Sequence, residues 1–406
     1  MKDAAVLKLG AWITQAGLDG LSERALVQEF CRRAIDAGVP LSRGLVGVDT
    51  LHPVLEGRIF AWRGTEEMEV RQSDYLRADG ESEKWLRSPF YQLLQTGESV
   101  LRRRLDAHYN GGEFPILDEL RDEGTTDYVA RIDRFGADAR IGEVDSIFSS
   151  WSTDHPEGFS ERDLEALRVL VPHLALAVKS ASFARIAETL VDTYLGRDAG
   201  RRVLAGSITR GVAEKINTVL WFSDLEGYTR ISDSSAPEHV IPLLNDYADA
   251  LVSAIHAHGG DVLKFIGDGL LAVFSRGDFD ETCQQALAAE ADARNRVAEL
   301  NAQRSADGLP VTRFYLGLHV GEVFYGNIGS VDRLDFTVVG PAVNETSRIA
   351  AMCRSLDQPV LLSSAFAEAA PACRAELVSV GRYALRGVSR PQELYTRDPE
   401  AQPTRR

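Results

Sequence analysis

Cysteine is scarce. The 406 residues contain four, Cys31, Cys283, Cys353 and Cys373, and no two form a CxxC pair. That pattern excludes a zinc ribbon and thioredoxin-like chemistry, and four scattered thiols suit a reducing compartment. Positive charge is also short: 45 Lys and Arg stand against 60 Asp and Glu, for a net charge of −15. Nonspecific nucleic-acid binding needs a positive field, so that partner class is excluded, and no basic recognition helix is evident. Long apolar runs are missing as well. The most apolar helical stretch, 164–187, is interrupted by Arg168, Pro172, His173, Lys179 and Arg185, so no membrane span is expected. The amino terminus, MKDAAVLKLGAW, lacks a signal peptide's apolar run and cleavage site. These absences together predict a cytoplasmic protein.

What is present divides the chain. Up to about residue 158, helical and strand signals mix. Ala5 to Gly38 reads as two helices parted near Gly17 to Gly20. Gly44 to Leu51 and Arg58 to Arg63 read as strands with a turn around Gly57, Trp85 to Leu105 as helical, and Ala139 to Trp151 as further strand. Ser160 and Asp163 form a capping-box-like start. Leu167, Val171, Leu174, Val178 and Ala181 then recur at spacings of four and three, a seam suited either to a partner helix or to the helix's own domain. Residues 196–211, GRDAGRRVLAGSITRG, read as a connector.

Beyond it the order is strand (218–223), helix (239–258), hairpin (262–266 and 270–274 around GDG), helix (281–306), strands (313–323 and 335–339) and helix (343–355). This order predicts an antiparallel sheet with helices on one face. Asp-Gly suits the positive φ of a tight hairpin.

Four blocks carry chemistry. In Phe222-Ser-Asp-Leu-Glu-Gly-Tyr-Thr229, a carboxylate ends a strand ahead of a helix start, a geometry able to hold a metal on Asp224 and to aim backbone N–H groups at phosphate. In Lys264-Phe-Ile-Gly-Asp-Gly-Leu270, Asp268 tips a hairpin, and two such carboxylates converge if their strands are neighbours. The third block is Gly317-Leu-His-Val-Gly-Glu-Val-Phe-Tyr-Gly-Asn-Ile-Gly329. The fourth runs from Arg333 through Leu-Asp-Phe-Thr-Val-Val-Gly-Pro-Ala-Val to Asn344-Glu-Thr-Ser-Arg348. It places Asn344 and Arg348 four apart, on one helix face, where an amide can orient a ribose and a guanidinium can hold a charged phosphorane.

In order and spacing the four blocks resemble the class III nucleotidyl cyclase catalytic domain, over roughly residues 214–397. The resemblance implies an α+β, ferredoxin-like βαββαβ catalytic core. It implies two Mg2+ ions per site (Mn2+ substituting), held by Asp224, Asp268 and the Leu225 carbonyl. Asn344 would orient the ribose and Arg348 would act in the transition state. Arg333 and Arg386 would hold the triphosphate, with Phe222, Gly227, Tyr228 and Thr229 lining the substrate. Lys264 would select the base with Thr337 as partner, a Lys/Thr pair resembling that of bicarbonate-responsive soluble adenylyl cyclases. The implied substrate is ATP and the implied assembly a homodimer. A guanylyl cyclase and a catalytically silent, dimeric nucleotide-binding regulator remain the competing readings.

The segment Ile147 to Ser160 with the following helix resembles the end of a GAF-type sensor. The expected organisation is then an α/β GAF-like domain at 1–180 receiving an unknown small-molecule or protein signal, a linker or signalling helix at 181–213, the catalytic domain at 214–397, and a tail at 398–406. Trp62, Trp85 and Trp151 are read as core rather than as pocket lining.

Overall fold

The computed structural model describes residues 3–64, 70–79, 82–275, 277–388 and 390–398. The expected tail lies, from residue 399, outside them. The chain divides into two compact units at Leu190/Val191.

The first unit runs α1 (Asp3–Leu18), α2 (Glu23–Asp36), β1 (Arg43–Asp49), β2 (Leu55–Arg63), β3 (Val70–Leu76), α3 (Glu83–Leu86), α4 (Pro89–Thr96), β4 (Val100–Arg104), α5 (Pro115–Asp122), β5 (Asp127–Arg134) and β6 (Ser146–Thr153), and then enters α6 (Glu161–Leu195). Its six strands form an antiparallel sheet in the order β3-β2-β1-β6-β5-β4. One face packs Val46, Phe60, Trp62 and Trp151 against α1, α2 and α6. The other packs Leu101, Tyr128 and Phe148 against Leu93 of α4 and Leu117 of α5, with Trp85 beside them. Both faces are filled by side chains; Trp62 and Trp151 are core, and Trp85 is partly buried against the second cluster.

Several sequence expectations change here. Gly57 lies within β2, at a register shift, and the turn precedes it at residues 50–54. The stretch expected as helix at 85–105 ends in β4. β5 was not expected at all: its first four residues are buried in succession, which removes the alternation that marks a half-exposed strand.

The capping box forms as expected. Asp163 N–H donates to Ser160 Oγ at 3.3 Å, and Ser160 N–H donates to Asp163 Oδ2 at 3.0 Å. The seam of α6 faces inward: Leu167, Val171, Leu174 and Val178 are buried in the first unit's own core. The partner-helix reading is therefore corrected, because those side chains already have neighbours. By length and hydropathy alone α6 would pass as a membrane span, a test that the core helix of a packed domain passes equally. Its buried face is that same core seam.

The second unit comprises α7 (Arg197–Leu204), β7 (Ala213–Leu225), α8 (Tyr228–Ser234), α9 (Pro237–Ala257), β8 (Asp261–Ile266), β9 (Gly269–Phe274), α10 (Phe279–Ala306), β10 (Phe314–Gly329), β11 (Leu334–Val339), α11 (Pro341–Leu356), β12 (Val360–Ser363), α12 (Ser364–Ala369), β13 (Leu377–Tyr383) and β14 (Gln392–Arg397). The sheet order is β13-β14-β12-β10-β7-β9-β8, with β11 on β10. Taken as four core strands, β7, β8, β9 and β10 lie in the order fourth-first-third-second, all antiparallel. This is the expected ferredoxin-like α+β core.

Helices cover both faces, not one. Alternate residues of the strands point oppositely. Val219, Trp221, Leu270, Ala272, Leu316 and Leu318 meet α9 and α10 on the first face. Leu220, Leu271, Val273, Val323 and Tyr325 meet α7 and the start of α11 on the second. Gly317 faces α11 so closely that a Cβ there would lie 2.7 Å from Ala350 N and Thr346 O. The residue must be glycine for α11 to lie on the strand.

The segment read as a connector is largely structured. Ala199 of α7 is buried on the second face, Arg202 Nη1 is 2.9 Å from Glu214 Oε2, and the Arg202 guanidinium lies 5.1 Å from the Tyr325 ring centroid. Asn327 Nδ2 donates to Ser207 O at 2.6 Å. Four glycines and four arginines suggested a connector between domains. The apolar contacts of Ala199 and Val203 override that composition.

Candidate active site

Asp224 sits near the end of β7, beside Leu225, the strand's last residue. It shares the second face with Phe222 and lies opposite Tyr315 of β10. Gly227 has a left-handed φ of 67° and caps α8, which opens with Tyr228 and Thr229. The end of β7 is held from the neighbouring strand: Tyr315 Oη donates to Glu226 Oε1 at 3.0 Å, Arg313 Nε to Glu226 Oε2 at 3.1 Å, and Thr312 Oγ1 to Glu226 O at 2.6 Å.

Asp268 is presented by the β8–β9 hairpin. β9 is paired between β8 and β7, with Leu270 opposite Ser223. The hairpin tip is therefore delivered to the end of β7. The turn residues are Gly267 and Asp268, and the positive φ, 65°, is at Gly267. The expectation of an Asp-Gly turn is corrected to Gly-Asp, and Gly269 already belongs to β9.

The two aspartates meet. Burial, the charge of Asp268 and a hydrogen bond with it push the Asp224 carboxyl up to about 6, partly opposed by the Leu225 amide and the Arg354 guanidinium. A carboxyl held up by burial and by an adjoining carboxylate is a donor that a hard divalent cation relieves. Among the described residues no third acidic, histidine or cysteine ligand joins them. That suits magnesium, which is commonly bound by one or two carboxylates with phosphate and water completing the shell. The observed carboxylates thus fit the implied ions.

Lys264 reaches the second face because β8 carries a bulge. The register shifts between Val262 and Lys264, so Lys264 lies opposite Leu271 rather than on the α9 side. Its Nζ is 2.6 Å from Asp335 Oδ2. Thr337, the expected base-selecting partner, lies two residues further along β11 and is 4% exposed. Its Oγ1 is buried without a hydrogen-bond partner. Asp335 was missed as a site residue, although it lies in a block already singled out. The signal was its i, i+2 relation to Thr337, which puts both on one side of a strand.

Asn344 and Arg348 lie on α11, on its less buried side. A Cβ on Gly387 would sit 3.3 Å from Arg348 Nη1, so the loop bearing Arg386 adjoins Arg348. Arg386 and Arg333 are exposed, and Arg333 closes the β10–β11 turn through its N–H to Ser330 Oγ at 3.0 Å. Beneath α11, the His319 Nδ1 lies 2.8 Å from Ser363 Oγ and 4.0 Å from Glu345 Oε1. Burial pushes this imidazole down to about 4.

Residues 212–396 match the family model of the adenylate and guanylate cyclase catalytic domain. The chain therefore carries a class III nucleotidyl cyclase domain. It is 33% identical over 149 residues to adenylate cyclase 1 of Rhizobium meliloti (strain 1021), covering 36% of this chain and 22% of that protein. It is 32% identical over 157 residues to the adenylate cyclase of Anabaena cylindrica, covering 39% and 31%. The chain thus spans under a third of the length of these curated relatives. The solved adenylyl cyclase CyaB from P. aeruginosa is 23% identical, with a TM-score of 0.42 over 47% of this chain and 98% of that one.

Proposed function

We propose that this protein is an adenylyl cyclase that converts ATP to 3′,5′-cyclic AMP and pyrophosphate. The observation that carries the reading is the meeting of Asp224 and Asp268 at the end of β7, in a domain that also keeps Lys264, Asn344 and Arg348. In the reaction the ATP 3′-oxygen attacks the α-phosphorus in line, its proton is lost, and pyrophosphate leaves. Asp224, Asp268 and the Leu225 carbonyl would hold two Mg2+ ions, or Mn2+, whose charge would lower the 3′-hydroxyl pKa and neutralise phosphate charge.

Asn344 orients the ribose. Arg348 holds the charge that grows on the α-phosphate, so its contact strengthens in the transition state. Arg333 and Arg386 grip the triphosphate, and Phe222, Gly227, Tyr228 and Thr229 line its path. Lys264 donates to the N1 acceptor of adenine, a position where guanine carries a proton, and Thr337 serves the amino group.

The site is completed by a second copy of this chain, giving a homodimer with two equivalent sites. The first unit acts as a GAF-like sensor of a small-molecule or protein signal. A cytoplasmic setting accords with four buried, unbridged cysteines.

Purified protein supplied with ATP or GTP, in magnesium or manganese, tests this directly. Cyclic AMP formation that disappears in Asp268→Ala is expected. Dominant cyclic GMP, or silence with both nucleotides from the full chain and from the 200–406 fragment, would overturn the reading.

A further inference from the structure

We infer that Asp335 is a positioning residue for base selection, acting through Lys264; this rests on the cyclase reading above. The Lys264 ammonium is 2.6 Å from Asp335 Oδ2. The Thr337 hydroxyl is buried without a hydrogen-bond partner, so it is not what holds the lysine. The bulge in β8 brings Lys264 to this face, and the carboxylate on β11 then fixes where its ammonium points.

The chemistry makes the direction matter. A lysine ammonium has three donors on a flexible four-carbon stem. Adenine offers N1 as acceptor at its pairing edge. Guanine carries a proton on N1 but offers O6 close by. A freely rotating ammonium can satisfy either base. An ammonium with one proton committed to Asp335 has its other two held in fixed directions, and a fixed donor separates N1 from O6. Asp335 thereby supplies ATP-over-GTP preference without touching the nucleotide.

The pair contributes little to the fold. The Lys264 side chain is 33% exposed and that of Asp335 53%, and such ion pairs add little stability. Removing the carboxylate should leave the protein folded.

The test is a double-mutant cycle in the full chain: wild type, Asp335→Asn, Lys264→Ala and the double variant, each assayed for kcat and KM with ATP and with GTP in magnesium. Asp335→Asn should lower the ATP/GTP ratio of kcat/KM by roughly tenfold, chiefly through a higher KM for ATP, with the melting temperature unchanged. In the Lys264→Ala background the same change should move the ratio less than about twofold. Asp335→Glu should restore part of the preference. An unchanged ratio in Asp335→Asn, or a full further loss in the Lys264→Ala background, overturns the inference while leaving the cyclase reading intact. A wild type that forms no cyclic nucleotide, or prefers GTP, overturns both.

Discussion

His319 should leave a measurable signature in the pH dependence of stability. The imidazole is 6% exposed beneath α11, and burial holds it down at about 4. An unfolded histidine titrates near 6.5. Between those values the unfolded chain binds a proton that the folded chain refuses. Stability therefore falls as pH drops from about 6.5 toward 4, and the neutral imidazole's contribution is fully present above 6.5. The whole gap corresponds to roughly 3 kcal/mol, of which about 2 kcal/mol is felt near pH 5. Glu345 faces the ring at 4.0 Å and works in the opposite sense. Burial raises its carboxyl, with a Gln392 hydrogen bond and the Arg348 charge opposing, so its own contribution is lost as pH rises. The comparison must accordingly be between wild type and His319→Gln, not between two pH values of one protein. Urea unfolding of both from pH 7.5 to 4.5, followed by a signal from Trp221 in the second unit, should show wild type losing about 2 kcal/mol more than the variant by pH 5. Parallel curves would refute the reasoning, because they would mean the buried ring accepts its proton without cost.

Three further outcomes follow from the geometry. Because Asp224 is raised to about 6, the metal-free protein should lose stability as pH rises through that value. Asp224→Asn should melt higher than wild type at pH 7.5 but not near pH 4, and should make no cyclic nucleotide; magnesium should stabilise wild type alone in the same scans. Gly317→Ala forces a Cβ to 2.7 Å from backbone atoms of α11. It should cost about 1–3 kcal/mol and lower kcat by displacing Asn344 and Arg348, measured by unfolding and turnover together. Glu23 is buried in the first unit, bonded to Arg185 at 2.7 and 3.1 Å and to Ser182 at 3.3 Å. Since Arg185 can turn to water, Glu23→Ala should cost about 1–3 kcal/mol, read from the first unit's unfolding.

The catalytic core was legible because its pattern is local. The apolar runs flanking GDG, the alanine-rich helix and the Asn/Arg spacing each report a single element, and the elements compose one order. Asp224 and Asp268 could be paired on paper because their strands, once placed as neighbours, bring both to one strand end. What escaped depends on through-space facts. The Lys264–Asp335 pair required knowing that β8 and β11 approach each other. The docking of α7 required knowing that Ala199 and Val203 find an apolar sheet face. The seam of α6 had the right period for a partner helix, and periodicity carries no record of which surface fills it. In the first unit, β5 opens with four buried residues in succession, so it offered no clean alternation to read.

The bulge at Leu263 has an evolutionary edge. Excising the extra residue would leave Val262 opposite Ala272 and Lys264 opposite Leu271, so a lineage could lose this codon and keep the lysine on the same face, whereas counting positions along an unbroken alternation from Val262 would place it on the wrong one.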